Sequence, residues 1–289
     1  MATVNASFEF LQWQDSYEQE KPYEVFLPLS SFQNKIPRSN LVFETRLVHV
    51  QDAYGQRESF ELDTHSFQFV RHPTDLRDLK DRDVVNGEYV AEVEAFLRRH
   101  LDDGSKANEA SIVCFDLRLR ESVDADEFSK RVVNLEDGFD PLPPSTHPHV
   151  DQSMHGAALR VRRHMGDRAE EVLKGRIRII NVWRPLSRVR SWPLAVCDSC
   201  TVKPEDLVAC DIIRRRYVGE TYFGKYNQDQ KWYYLSDMDE DDVLLLKIYD
   251  SKPGVATPCL HASLPLSSGP GDQAQRESIE LRFLVFTES

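Results

Sequence analysis

Ser278-Ile279-Glu280-Leu281-Arg282-Phe283-Leu284-Val285-Phe286 sets Ile279, Leu281, Phe283 and Val285 two residues apart, with Ser278, Glu280 and Arg282 between them. That period of two predicts a strand with an apolar face and a face that can carry chemistry. Five further strand-like runs precede it, with turn signals between: Arg176 to Trp183, Thr221 to Tyr226, Lys231 to Leu235, Val243 to Tyr249 and Thr257 to Leu264. Regular short strands in one domain predict a β-sandwich or barrel.

The earlier half is more mixed. Leu41 to Val50 is rich in β-branched and apolar residues, Tyr54-Gly55 marks a turn, and Phe60-Glu61-Leu62 reads as the start of another strand. A helix is predicted next, with Asn86 as its N-cap, Val90, Val93, Leu97 and Leu101 on one face, and Gly104 at its end. Ser111 to Leu117 reads as a buried strand. A Pro-rich loop from Asp140 to His147 follows, and Ala157 to Lys174 reads as a polar surface helix. No linker divides the 289 residues, so one domain is expected, with an N-terminal α/β portion (1–140) packed on a β-rich portion (141–289).

Composition narrows the function. The net charge of -12 argues against nucleic acid and against anionic membrane surfaces as partners. No run approaches the roughly 18 apolar residues of a membrane span. The first ten residues do not read as a secretory signal. Cys114, Cys197, Cys200, Cys210 and Cys259 are an odd, scattered set, expected as free thiols in a reducing cytoplasmic setting.

The chemistry concentrates at His147-Pro148-His149-Val150-Asp151. Two histidines and one carboxylate on one face are the ligand pattern of non-haem iron(II) sites that leave positions open for dioxygen and a co-substrate. Residues two apart on a strand project to one side, so His149 and Asp151 can reach one ion, with His261 as the third ligand from a late strand-like run. A His-x-Asp pair alone is weak evidence, because His100-Leu101-Asp102 repeats it at a helix end, where such residues diverge. Arg276-Glu277-Ser278, fifteen residues after His261, adds a guanidinium and a hydroxyl on one side of the last strand. That pair suits the distal carboxylate of 2-oxoglutarate. Arg282 lies on the same face and is the rival carboxylate binder. Asn181 and Trp183 share one side of their strand and are candidate substrate contacts, although a packed Trp beside a satisfied Asn is the plainer reading. His147 and His155 flank the metal motif, either as supporting donors or as solvated loop residues.

The chain also resembles the AsaB-like family of fungal hydroxylases and desaturases. That family includes gibberellin desaturase-like proteins, a cephamycin hydroxylation subunit and oxygenases that tailor meroterpenoids. The blocks that carry the likeness are His149 to Ser153, Ile180 to Leu186, Trp192 to Asp198, Trp232 to Ser236, Tyr249 to Ser251, His261, and Arg276 to Arg282. The run Leu260 to Leu264 departs from the family pattern, which has a polar residue and a Phe near the histidine. The resemblance implies a mainly β chain with flanking helices, a double-stranded β-helix (jelly roll, cupin-like), with iron at its mouth. It implies Fe(II), 2-oxoglutarate and dioxygen as cofactor and co-substrates. The reaction would be hydroxylation, desaturation, rearrangement or endoperoxidation of a small secondary metabolite such as a meroterpenoid.

Two other readings stand beside it. Cys197-Asp198-Ser199-Cys200, followed by Cys210, has half the spacing of a structural zinc site, without a second pair. The family also contains a non-catalytic type, so the chain could be an auxiliary subunit that shapes a homologous oxygenase. A homodimer or a heterodimer with such a homologue stays open.

Overall fold

The computed structural model describes residues 2–27, 37–101, 111–123, 127–128, 130–131, 133–134, 136–215, 217–266 and 276–287. Their strands, in chain order, are β1 (Thr3–Leu11), β2 (Tyr23–Phe26), β3 (Phe43–Asp52), β4 (Phe67–Arg71), β5 (Ser111–Glu121), β6 (His149–Val150) and β7 (Arg176–Pro185). Then come β8 (Leu194–Cys197), β9 (Leu207–Arg214), β10 (Tyr217–Gly224), β11 (Trp232–Tyr234), β12 (Asp242–Asp250), β13 (His261–Ser263) and β14 (Glu277–Thr287). They form a nine-stranded mixed sheet, β1-β3-β11-β8-β13-β6-β10-β9-β2, and a five-stranded antiparallel sheet, β4-β12-β7-β14-β5. The two sheets face each other as the predicted jelly roll. Residues before 141 supply β1 to β5, which are woven into both sheets, so neither sheet breaks at that point.

Period two decides which side chains meet. In β7, Ile177, Ile179 and Trp183 face the interior between the sheets, and Ile180 and Val182 face the other way. In β14, Leu284 and Phe286 face the interior, while Ile279, Leu281, Phe283 and Val285 pack outward with Val85, Tyr89, Val93 and Leu97 of the flanking helix. The five-stranded sheet is thus covered on both faces, which is why its strands read as nearly continuous apolar runs. Each fully buried Leu, Ile or Phe there contributes about 1.5–3 kcal/mol.

Some local expectations are corrected. Phe60 to Leu62 does not begin a strand: Leu62–His65 is a short helical turn, and pairing starts at Phe67. The flanking helix starts earlier than Asn86. Asp81 is its N-cap, because its carboxylate accepts from the Asp83 and Val84 amides at 2.8 and 3.1 Å. Asn86 lies in a π-helical turn, Val85–Tyr89, that runs into Val90–His100. Gly104 and Asp102 fall outside the described residues. Thr257 to Leu264 pairs only at its end, as β13, and β9 is a strand that the sequence reading missed.

Candidate metal centre

The nine-stranded sheet brings the two histidines together. His149 on β6 is the register partner of His261 on β13, and their rings lie 4.4 Å apart. Asp151 leaves the strand two residues later. The ligand-type atoms of His149, Asp151 and His261 all lie within 4.8 Å of one another, the one such group among the described residues. Both rings are held from behind. His149 Nδ1 donates to the His147 carbonyl at 2.8 Å, and His261 Nδ1 donates to the Cys259 carbonyl at 3.1 Å. Each ring therefore keeps its Nε2 lone pair free, as metal-ligating histidines do. Burial first, and then His261, push His149 down to about 3. Burial also lowers His261, so both rings are neutral at physiological pH.

The five-stranded sheet holds the carboxylate. Register pairs Asn181 of β7 with Arg282 of β14, so both side chains point at Asp151 across the interior. Asn181 Nδ2 donates to Asp151 Oδ2 at 2.5 Å, and Arg282 Nη2 lies 3.0 Å from Asp151 Oδ1. Burial would raise the Asp151 carboxyl, but Arg282 and then His261 outweigh it and hold it well below the usual range. The converse holds for Arg282: burial disfavours its charge, and Asp151, Glu280 and Asp116 more than compensate. A helix start fixes the motif from its other end. Ser153 caps Met154–Met165 by accepting from the Gly156 amide at 2.9 Å, and its hydroxyl donates to Glu220. Gly156 packs so close to β10 that a Cβ would lie 2.3 Å from the Glu220 carbonyl oxygen.

Beside the triad is a small cavity lined by Arg276, His261, Ser263, Trp183, Arg120 and Leu194, among others. Arg276 is 2% exposed. Its Nη1 donates to the Trp192 carbonyl at 3.2 Å and to Ser263 Oγ at 3.3 Å, while Nε and Nη2 are buried without a partner. Burial pushes Arg276 down to about 9. Arg282, by contrast, is spent on three carboxylates: Asp151 and Asp116, both at 3.0 Å, and Glu280 at 2.8 Å. A buried cation with two unpaired N–H groups is the chemistry a carboxylate ligand completes, so the residues present fit 2-oxoglutarate as well as iron(II).

The other sequence candidates separate. Trp183 lines the small cavity, 5.8 Å below the Arg276 guanidinium carbon. Asn181 lines neither cavity and instead braces Asp151. Ser278 is buried on the interior face of β14, but the small cavity's described lining has Ser263 instead. Ser263 was missed, although it lies within the run that departs from the family pattern. His147 supplies its carbonyl to His149 and packs its ring on Phe43 at 4.2 Å, and His155 is exposed. Cys197 is buried and Cys200 exposed, and no cysteine joins a ligand cluster among the described residues, so the zinc reading falls. At the helical decoy, His100 Nε2 pairs with Gln68 Oε1 at 2.8 Å.

Comparison with known proteins agrees with this geometry. A family profile described as an oxidoreductase/YMDC permease-like domain matches residues 8–286. Aspirochlorine biosynthesis protein N of Aspergillus oryzae is 41% identical over 142 residues, which span 48% of this chain and 60% of that protein. The Fe(II)/2-oxoglutarate-dependent dioxygenase nvfI of Aspergillus novofumigatus is 32% identical over 257 residues, 86% of each chain. A solved variant of the iron and alpha-ketoglutarate-dependent endoperoxidase NvfI superposes with a TM-score of 0.83 at 28% identity, covering 100% of this chain and 99% of that one. The chain belongs to the family of fungal Fe(II)/2-oxoglutarate-dependent dioxygenases and hydroxylase/desaturases.

Proposed function

We propose that this chain is a non-haem iron(II) oxygenase that binds its metal through His149, Asp151 and His261 and oxidises a small fungal secondary metabolite. One observation carries the reading: both histidines are tied at Nδ1, so two Nε2 lone pairs and an ionised carboxylate converge within 4.8 Å. Iron(II), when bound, supplies the activation of dioxygen that is coupled to decarboxylation of 2-oxoglutarate and oxidation of the substrate.

The chain's own residues do the positioning. Asn181 and Arg282 keep Asp151 ionised and oriented. Arg276 binds the distal carboxylate of 2-oxoglutarate with its unpaired Nε and Nη2; Ser263 steadies Nη1, and Ser278, next on the same strand face, is a further donor. Trp183 lines that cavity beneath the Arg276 guanidinium. On the other side of His149 and Asp151, a cavity of about 490 Å³ is walled by Phe26, Phe43, Phe223 and Tyr217, among others. That volume and those walls suit a polycyclic metabolite such as a meroterpenoid. Five free thiols suit a reducing intracellular compartment. No helix among the described residues is long and apolar enough to cross a membrane. The auxiliary-subunit alternative gains nothing from the geometry, because the triad and the unpaired guanidinium are both present.

The test is metal content and turnover. The metal-free chain given iron(II) anaerobically should take up one ion, then release succinate when 2-oxoglutarate and dioxygen are added. Uptake should be lost in Asp151→Ala. Iron-dependent turnover that persists in Asp151→Ala would sink the assignment.

A further inference from the structure

The walls of the 490 Å³ cavity carry charge as well as rings. Arg118 and Arg120 of β5, Arg214 at the end of β9, Arg160 of the helix Met154–Met165 and Arg282 of β14 all line it. Four separate elements thus send arginines to one concavity in a chain whose net charge is -12. Carboxylates offset part of that charge, Arg282 above all being held by Asp151, Asp116 and Glu280. On the same wall, Asp151 belongs to the metal triad, and Glu220 is bonded to Lys21 and Ser153. Burial raises the third, Glu24, and Arg214 opposes that shift.

The arginines crowd one another. Burial first, then Arg282, pushes Arg118 down to about 10, and burial likewise lowers Arg160 and Arg214, which also feel Arg282. Arg160 is held in place by aromatic rings. Its guanidinium carbon lies 4.6 Å from the Tyr217 ring centroid and 5.4 Å from that of Phe115, and its Nε is buried without a hydrogen-bond partner. A stacked guanidinium with an unused N–H is pre-organised for a planar oxyanion. Arg120 adds a half-buried guanidinium whose Nη1 donates to the Pro143 carbonyl at 2.7 Å. A positive concavity with low-dielectric walls also draws anions from solution.

We propose that the substrate of this site is an anion, an apolar ring body bearing a carboxylate, whose rings lie on Phe43 and Phe223 and whose carboxylate docks on the cluster around Arg160, Arg120 and Arg214. This rests on the oxygenase reading only for the word substrate; the binding site stands on the cavity itself. Arg160 and Arg214 line this cavity and not the small one beside Arg276, proposed for 2-oxoglutarate; Arg120 lies where the two adjoin.

The experiment uses the metal-free full chain and two fluorescent probes of one shape, anthracene-9-carboxylate and anthracene-9-methanol. Titrations are run in the Arg276→Gln background to remove the other anion site. The carboxylate should bind at least about tenfold more tightly than the alcohol, as one charge-assisted contact allows. That preference should weaken with salt, vanish in Arg160→Gln and survive in Arg160→Lys. Arg214→Gln is the second variant, used if circular dichroism shows that Arg160→Gln is unfolded. Equal affinities, absence of binding, or a preference untouched by both glutamine variants would overturn the proposal. Iron(II) uptake is measured on the chain with Arg276 intact. Carboxylate preference without iron uptake keeps the anion site and removes the oxygenase reading. Iron-dependent turnover of 2-oxoglutarate without the preference removes the anion site alone.

Discussion

Arg276→Met should move two properties in opposite directions. In the unliganded protein the Arg276 guanidinium is buried, with Nε and Nη2 unpaired. Its depression from the ordinary guanidinium range to about 9 corresponds, at about 1.36 kcal/mol per pKa unit, to an upper bound of roughly 5 kcal/mol of uncompensated charge burial. Neutral pH lies below both values, so the whole cost is present there; it fades only as pH rises from about 9, where the folded state gives up its proton first. Methionine removes this cost but also the two Nη1 bonds, to the Trp192 carbonyl and Ser263 Oγ, at about 1 kcal/mol each. The unliganded variant should therefore gain roughly 1–3 kcal/mol of stability in urea denaturation. Binding of 2-oxoglutarate should weaken by about 10²–10⁴-fold, since two charge-assisted hydrogen bonds are worth about 1.5–3 kcal/mol each. Calorimetry with anaerobic iron(II) reads the affinity. A variant that is less stable yet binds 2-oxoglutarate as before would refute the reasoning.

Three further outcomes follow from other contacts. Removing either imidazole, His149→Ala or His261→Ala, should abolish stoichiometric iron(II) uptake while leaving the far-ultraviolet circular dichroism unchanged; retained uptake in both would exclude the triad. Asn181→Leu removes the 2.5 Å donor to Asp151 Oδ2 and should weaken iron(II) binding by about 10–100-fold, with Asn181→Gln no better because the longer arm cannot sit in register with Arg282. His72, stacked 4.2 Å from Phe96, is pushed by burial and by Arg184 from 6.5 to about 4. Its contribution is full above pH 6.5 and is lost as pH falls toward 4, because the unfolded chain takes up a proton that the fold refuses. The loss is at most about 3 kcal/mol, and His72→Phe should remove that part of the acid slope in denaturation measured at pH 7, 5.5 and 4.5.

The strands were legible where burial is regular. β7, β12 and β14 are covered on both faces, so apolar residues stand on both sides of each strand and few polar residues break the runs. Elements whose backbone is organised by a side chain were not. Asp81 starts its helix with one carboxylate on two amides, a signal that an Asp in a polar run does not advertise, and Asn86 drew attention only because it precedes the apolar stripe. β9 is split: Val208 and Cys210 pack in a small core with Leu11, Tyr17 and Phe223, while Ile212 and Arg214 line the cavity, so no single apolar alternation runs its length.

The proposed ligands His149, Asp151 and His261 were candidates from residue type, spacing and the family resemblance, and Arg276 from its place two residues before Ser278. Local chemistry determines that much: a two-residue period puts a pair on one side, and a guanidinium suits a carboxylate. The sequence by itself could not choose between Arg276 and Arg282, which share a strand face. Pairing gives the two arginines different partners. The β14–β7 register sets Arg282 opposite Asn181, where Asp151, Asp116 and Glu280 consume it, and leaves Arg276 beside Ser263 with two nitrogens unspent. Whether a charged group is free or satisfied depends on partners brought from distant strands. For the same reason the ring of arginines around one cavity, drawn from four elements of an acidic chain, emerged only in the fold.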